Sequence, residues 1–515
     1  SKTYNIMTNQ TSVNNKRIAK NTIMLYLRMF LTMVVGLYTS RVVLQTLGVE
    51  DFGIYNVVGG VVAMMGILNN AMAVASQRYL TFELGKNDID KLKLVFNVNV
   101  SIYLLLSFIF ILISETIGLW FLNTQLIIPD NRILAANFIY QFSIFSCVAG
   151  LMLSPYNASI IAHENMKFFA YVSIGESILR LLVVFMLVLS PIDQLVTYGF
   201  LLLMVSCGIT LVYYIYCRKN YMECRYSMIN DKALFREILT YSSWNIFGSA
   251  AGLAKEQGLN VLINMFFNPA INAARGIAYQ VNSVVTQFFT SFYTSVRPQI
   301  TKYYAQKDFD NMLLWVYRST KLTCFLILLV SLPIMIEAPY IINLWLGSLP
   351  EYVVPFVRII IMISMVDSMA NPLMTSAHAT GHIRGYQFVV GMMNILLIPL
   401  GYIALSMEAE PTIVFVLSLI MSILCFVVRM FIVNRLVCIR IPIYIKSVLI
   451  PCLLVTITAF ILPFIVHRFI EMGFLRFILV GIMSVISTMF TVIIFGLNST
   501  EKKFVLDIIK QKIHI

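Results

Sequence analysis

The chain has 515 residues, 59% of them hydrophobic and only 12% charged, with a formal net charge of +13. Soluble domains carry about 25% charged residues, and no water-soluble fold buries so large an apolar fraction, so lipid must be the solvent for most of the chain. The distribution of the basic excess argues against a nucleic-acid binder. Lys and Arg fall in short gaps between apolar runs, where the anionic leaflet and the positive-inside bias account for them.

A helix of about 20 apolar residues spans a bilayer. About fourteen segments meet that rule, at approximately 20–46, 52–79, 94–119, 133–161, 168–190, 195–217, 235–266, 271–299, 313–346, 353–378, 384–406, 412–434, 444–466 and 474–497. The seventh and ninth are long enough to be kinked or to begin on the membrane surface. About 17 polar residues precede the first run, which is too long and lacks the cleavage site of a signal peptide, so it is expected to remain as a span. With the N-terminus inside, Lys16, Arg17, Lys20, Lys86, Lys91, Lys93, Lys167, Arg218, Lys219, Lys302, Lys307, Arg384, Arg435, Arg440 and Lys446 fall on the cytoplasmic side. The opposite gaps hold Glu50, Asp51, Asp130, Asp193, Glu351, Glu408 and Glu410. About 28 of the 37 Lys and Arg are then inside, which predicts both termini in the cytoplasm.

No gap is long enough for a soluble domain. The longest polar gap, 218–233, reads as a cytoplasmic linker between an N-terminal lobe of six spans, 1–217, and a C-terminal lobe of six, 234–436. Residues 437–515 add two further spans and a cytoplasmic tail. A weak internal likeness supports two lobes. Phe52-Gly53-Ile54, Gln77-Arg78-Tyr79 and Lys86-Asn87-Asp88 resemble Arg275-Gly276-Ile277, Arg297-Pro298-Gln299 and Gln306-Lys307-Asp308. Repeats running in one direction imply lobes related by an axis along the membrane normal. The expected fold class is an all-α polytopic membrane protein with two pseudo-symmetric lobes plus two extra helices. The eight cysteines show no C-x-x-C and no paired spacing, so metal and redox chemistry are not expected of them.

The run Ser40-Arg41-Val42-Val43-Leu44-Gln45-Thr46-Leu47-Gly48-Val49-Glu50-Asp51-Phe52-Gly53-Ile54-Tyr55, followed by Ser76-Gln77-Arg78-Tyr79-Leu80, resembles the first-to-second-span junction of the Wzx-type polysaccharide flippases. These O-antigen and capsule transporters share a superfamily with the multidrug and toxin extruders and the lipid II flippases. The resemblance is clearest over residues 16–93. It implies a V-shaped pair of lobes around a central cavity that opens alternately to each side of a bacterial inner membrane. It further implies an undecaprenyl-pyrophosphate-linked oligosaccharide as substrate. In the lipid II branch, arginines on the first, second and eighth spans bind the pyrophosphate. Here Arg28 and Arg41 stand on the first span and Arg275 opens the eighth, but the first half of the second span has no arginine, so the match is partial.

A charge at the bilayer centre costs about 2.5–3.5 kcal/mol on insertion scales, so each one asks for a reason. Arg28 and Lys255, on the first and seventh spans, are expected as cavity cations facing each other, with Arg41 and Arg275 nearer the outer ends. Arg suits pyrophosphate because its planar fork donates two hydrogen bonds. The plainer readings are snorkelling for Arg28, an ion pair with Glu256 for Lys255, and interface anchoring for Arg41 and Arg275. Asp367, in mid-span, is a candidate site for a coupling H+ or Na+, with Glu256 and Glu176 as further carboxylates, although Glu176 and Arg180 at i, i+4 also fit a structural pair. Asn56 and Asn70 on the second span and Gln280 and Gln287 on the eighth are expected to line a hydrated cavity. Helix-to-helix adhesion is the alternative.

Membrane lipids and the lipid-linked oligosaccharide are the expected partners, with no nucleic acid and no cofactor. An exporter of drugs or cations is the nearest rival, disfavoured by a cationic cavity. A polysaccharide polymerase or membrane glycosyltransferase is less favoured, since the outer gaps are short and hold no Asp-x-Asp, and H-E-x-x-H and G-x-x-x-x-G-K-[ST] are missing. An enzyme is therefore not expected, and without a nucleotide-binding motif the energy must come from an ion or substrate gradient.

Overall fold

In hydrocarbon a chain must satisfy its own backbone hydrogen bonds, and a helix does so within one segment. The computed structural model describes residues 21–36, 38–39, 42–43, 45–48, 51, 54–55, 58, 66–124, 129–189, 193–227, 231–267, 269–347, 349–498 and 501–502. Arg41 and Asn56 lie outside them. The described residues form helices and no strand.

The first part of the chain holds α1 (Asn21–Gly36), α2 (Gly66–Lys86), α3 (Ile89–Thr124), α4 (Ile133–Ala162), α5 (Met166–Leu189) and α6 (Gln194–Asn220). Then come α7 (Lys232–Phe266), α8 (Pro269–Ala305), α9 (Phe309–Ile336), α10 (Ala338–Leu346), α11 (Val353–Thr380), α12 (Arg384–Ser406) and α13 (Thr412–Val437). The last two are α14 (Ile441–Phe469) and α15 (Phe474–Gly496). The long seventh segment is one continuous helix. The ninth is broken at Glu337, because Pro333 and Pro339 flank the junction and proline has no N–H to carry the hydrogen-bond ladder across.

Among the described residues ten helices are long and apolar enough to cross a membrane: α3 to α6, α9, and α11 to α15. The described part of α1 is shorter. Helices α2, α7 and α8, expected as spans, are more polar along their length, which matters for the site below.

The chain divides into two compact units, Ser1–Ser249 and Ala250–Ile515, with the division inside α7 and beyond the expected linker. In the first unit α4 packs against α2, α3 and α6, and α5 against α6. In the second, α11 is central, covered by α8, α9 and α13, while α14 and α15 pack on each other and on α9. Its core joins Ala274, Ala278 and Phe289 of α8 to Val357 and Ile361 of α11 and Phe415 of α13.

The same local plan is used twice. Helices α3, α4, α5 and α6 begin at Ile89, Ile133, Met166 and Gln194, and α9, α11, α12 and α13 begin at Phe309, Val353, Arg384 and Thr412. The junctions that open α3 and α9 are alike in detail. Asn87 (φ 57°) and Lys307 (φ 58°) take the left-handed conformation. The next residue is an N-cap aspartate: Asp88 accepts from Lys91 N at 3.1 Å, and Asp308 from Asn311 N at 3.2 Å. Each side chain satisfies an N–H that the first helical turn leaves without a partner.

The helix carrying Lys255 is seated by a close contact. A Cβ on Gly258 would lie 2.6 Å from Ile398 Cδ1 of α12, and one on Gly401 3.2 Å from Leu262 Cδ1 of α7. Glycine thus lets the two backbones approach, as small residues do in membrane helix pairs. Replacing Gly258 with valine is expected to cost about 1–3 kcal/mol by overpacking. Ile398→Ala in the same chain should recover most of that loss, read as the thermal midpoint of the detergent-solubilised protein. A double variant no more stable than Gly258→Val would show that the contact does not set the packing.

Candidate functional site

In the first unit Arg28 of α1 lies against α5. Its guanidinium carbon is 4.6 Å from the Phe169 ring centroid, and Nη1 is 3.5 Å from Ser173 Oγ. Glu176 and Tyr213 are close enough to act on it electrostatically. Phe169, Ser173, Glu176 and Arg180 recur at i, i+4, i+7 and i+11, so one face of α5 carries them all. Arg180 donates from Nε and Nη2 to Glu176 Oε1 at 3.0 and 2.8 Å. Glu176 is therefore bonded to Arg180 while still acting on Arg28. Arg28 Nε is shut off from solvent without a hydrogen-bond partner. Asn70 of α2 is exposed, and its neighbour Asn69 accepts from Ser154 Oγ of α4 at 2.6 Å.

In the second unit charged and phenolic groups gather from five helices. Asp367, on α11, accepts from Ser422 Oγ of α13 at 2.5 Å. It is in electrostatic reach of Tyr279 of α8, Tyr386 of α12 and Arg429 of α13. Ser422, Cys425 and Arg429 share a face of α13 by their i, i+3, i+7 spacing. Lys255 of α7 acts on Cys425 of that face, and Glu256 on Tyr279. Among the described residues Lys255 forms no ion pair with Glu256 or any other carboxylate. Arg275 is 8% exposed, donates from Nη2 to the Glu256 carbonyl at 2.9 Å, and rests 4.6 Å from the Tyr279 ring centroid. Tyr386 Oη and Arg429 Nε are closed off from solvent without partners.

Arg429 escaped sequence reasoning because it lies inside the apolar run 412–434 with no polar neighbour to flag it. The i−7 and i−4 positions, Ser422 and Cys425, were the available signal.

Gln280 and Gln287 belong to a longer pattern on α8. Ala273, Gly276, Gln280, Ser283, Gln287 and Thr290 are all exposed, at alternating steps of three and four. The opposite face supplies Ala274, Ala278, Val285 and Phe289 to the core. The hydroxyls bond back to their own helix, Ser283 Oγ to Gln280 O at 2.7 Å and Thr290 Oγ1 to Thr286 O at 3.0 Å. Their lone pairs point outward beside the two amides. Helices α12, α14 and α15 differ. Phe388, Met392 and Leu396, then Leu453, Ile457 and Ile461, then Ile482, Ile486 and Phe490 are among their exposed residues. Those stripes suit lipid, whereas an amide in hydrocarbon loses several kcal/mol of hydrogen bonding. The outward face of α8 therefore differs from those stripes in offering hydrogen-bonding groups along its length.

Another cluster, outside the spans of the first unit, was also missed. Arg132, just before α4, donates to Asp51 from Nε at 2.8 Å and again from Nη2, and to Asp193 from Nη1 at 2.5 Å. Asp193 also caps α6 by accepting from Val196 N at 3.1 Å. Partial burial pushes the Asp193 carboxyl up, but the Arg132 bonds and the Val196 N–H outweigh it and hold it below the ordinary carboxylate range. A depressed carboxyl stabilises the fold above its unfolded-state pKa, and the contribution is lost as pH falls through the folded-state value. The thermal midpoint is thus expected to drop when the pH is taken below the ordinary aspartate range. Arg132→Gln should cost about 2 kcal/mol at neutral pH and flatten that acid limb. An acid limb unchanged in Arg132→Gln would remove the cluster as its cause.

Cations drawn in among the helices, with Arg275 buried, and a helix with a polar outward face in an otherwise apolar chain define a multi-pass membrane protein with polar sites inside its units. Solved structures agree on the fold. The chain is similar to an outward-facing multidrug resistance MATE family transporter of the MOP superfamily, with TM-score 0.72 at 12% identity, covering 82% of this chain and 96% of that one. It is similar to a MATE in complex with MaD3S, with TM-score 0.71 at 12% identity over 82% and 97% of the two chains. A MOP superfamily transporter from Pyrococcus furiosus Vc1, described by a binding pocket of reverse polarity, gives TM-score 0.67 at 12% identity over 82% and 96%. A family model for polysaccharide biosynthesis proteins matches residues 18–304, more than half of the chain, and the chain belongs to that family. Comparison with curated proteins returned no match.

Proposed function

We propose that this protein is a flippase that moves an undecaprenyl-pyrophosphate-linked oligosaccharide from the cytoplasmic to the periplasmic leaflet of a bacterial inner membrane. The observation that carries the reading is the exposed amide and hydroxyl face of α8. A hydroxyl-rich glycan exchanges hydrogen bonds with such a face at little cost, since each amide offers both donors and acceptors. Arg28 and Lys255 supply cations for the pyrophosphate, Arg in the bidentate manner and Lys as a point charge. Arg41 and Arg275 serve the outer side of the path, and Asn56 and Asn70 continue its polar lining. The prenyl tail stays in lipid between two six-helix lobes that alternate access. Asp367 is the coupling carboxylate for H+ or Na+, with Glu256 and Glu176 as secondary groups, and both chain ends lie in the cytoplasm.

A cation exporter would need a site of the opposite sign. In the second unit three cations, Lys255, Arg275 and Arg429, accompany two carboxylates, Glu256 and Asp367, so the local balance repels cationic cargo. Membership of the polysaccharide biosynthesis family supports the same choice.

The test is protein-dependent exposure of a polyprenyl-pyrophosphate oligosaccharide in proteoliposomes, read with a glycan-cleaving enzyme under an imposed ion gradient. Loss of a charge-assisted hydrogen bond to phosphate is worth about 1.5–3 kcal/mol, so Arg28→Ala and Lys255→Ala should each slow exposure about tenfold or more. Equal rates in the variants would return both residues to a structural role. No exposure by the unaltered protein would overturn the flippase reading.

A further inference from the structure

We infer that the second unit binds a zwitterionic phospholipid with a primary ammonium head group, in a cleft at its basic end. The cleft holds about 550 Å³ and lies where α8 ends, α9 begins and α13 passes into α14. Both junctions are basic, with Lys302 and Lys307 at one and Arg435, Arg440 and Lys446 at the other. By the positive-inside bias they share one membrane surface. Leu313, Leu314 and Ile443 give the cleft an apolar wall, and Tyr304 and Tyr317 line it as interfacial aromatics do.

The repeat supplies an internal comparison. Helix α3 is the counterpart of α9, and Asn97 occupies the place of Tyr317. In the first unit the chain leaving α6 lies along α3. Ser227 N donates to Asn97 Oδ1 at 2.8 Å, Asn97 Nδ2 to Ser227 Oγ at 3.3 Å, and Ser101 Oγ meets Tyr226 Oη at 3.2 Å. In the second unit the chain leaving α13 turns at Cys438 (φ 55°) and enters α14 at Ile441. There α14 rather than the connecting chain packs on α9, with the Tyr444 ring 5.6 Å from that of Tyr317, and the cleft opens beside this contact.

The charges select the occupant. Asp310 stands in the first turn of α9 and Arg440 directly before α14, both exposed and both lining the cleft. Among the described residues neither is in an ion pair. A phosphodiester satisfies Arg440 through its planar fork. An anionic head group leaves Asp310 facing like charge, whereas an ammonium on the same head group satisfies it. A quaternary amine has no N–H to donate, so the primary amine fits best.

Cys438 lines the cleft and is the one exposed cysteine of the eight, the others being buried or half-buried. The full-length protein in mixed micelles would be treated with a maleimide, and modification of Cys438 followed by peptide mass spectrometry. Phosphatidylethanolamine is expected to slow alkylation about tenfold, and phosphatidylglycerol and phosphatidylcholine less than roughly twofold. Arg440→Gln and Asp310→Asn should each restore the lipid-free rate. Equal protection by all three lipids would reduce the cleft to ordinary lipid contact and overturn the inference. Protection by phosphatidylglycerol alone would replace it with an anionic-lipid site, and no protection at all would remove the site.

Discussion

The absence of water from the bilayer core is the constraint on which the rest of this structure depends. Backbone groups must pair within the chain, so the apolar stretches become helices. Polar side chains must find a protein partner or a wet surface. Exposure therefore carries more information here than in a soluble protein. An exposed Leu453 or Ile486 is at home in lipid, whereas an exposed Gln280 or Gln287 would lose hydrogen bonds there. Helix α8 reconciles both demands, with Val285 and Phe289 facing the core of the second unit and its amides facing away.

The same constraint explains how the two extra helices are held. Glu337, at the α9–α10 break, is fully buried; Arg476 Nε of α15 lies 2.9 Å and His467 Nδ1 of α14 2.8 Å from its Oε1. Lys321, about three turns into α9, is 2.6 Å from Glu501 Oε2 beyond α15. Burying such pairs costs desolvation that nearly offsets their attraction. Their contribution is specificity, since α14 and α15 can dock on α9 only where both carboxylates meet their cations. Elsewhere lipid-facing apolar helices have little reason to prefer one partner over another.

Composition and hydropathy made the class and most helix positions legible in the sequence, because a lipid solvent allows one main kind of element. The weak Gly-Ile likeness between the halves understated a repeat that is plain in the paired left-handed residues and aspartate caps at Asn87-Asp88 and Lys307-Asp308. What stayed hidden was pairing in space. Arg132 stands in an acidic gap without a sequence neighbour to pair with, and only the fold brings Asp51 and Asp193 to it. Glu176 and Arg180 were readable as a pair because four residues on a helix make neighbours. Arg275 was readable as a cation near the outer end of its span, but not as one buried and turned back onto the Glu256 carbonyl. Arg429 was masked by the apolar run around it, since hydropathy averages over the one residue that matters.

The way these cations are housed bears on what they can do. A guanidinium paired tightly to a carboxylate has its field cancelled, and an arriving anion must first displace that partner. Arg28 instead rests on Phe169 and Arg275 on Tyr279. An aromatic face offsets part of the desolvation cost through its quadrupole, by about 0.5–2 kcal/mol, without neutralising the charge. The nearest carboxylate to the first of these, Glu176, already bonds Arg180, and the backbone carbonyl that receives Arg275 carries no net charge. Cations held on rings and carbonyls keep their positive field directed outward. An anion arriving at such a cation, as the proposed function requires of Arg28 and Arg275, would bind and leave without exchanging one salt bridge for another.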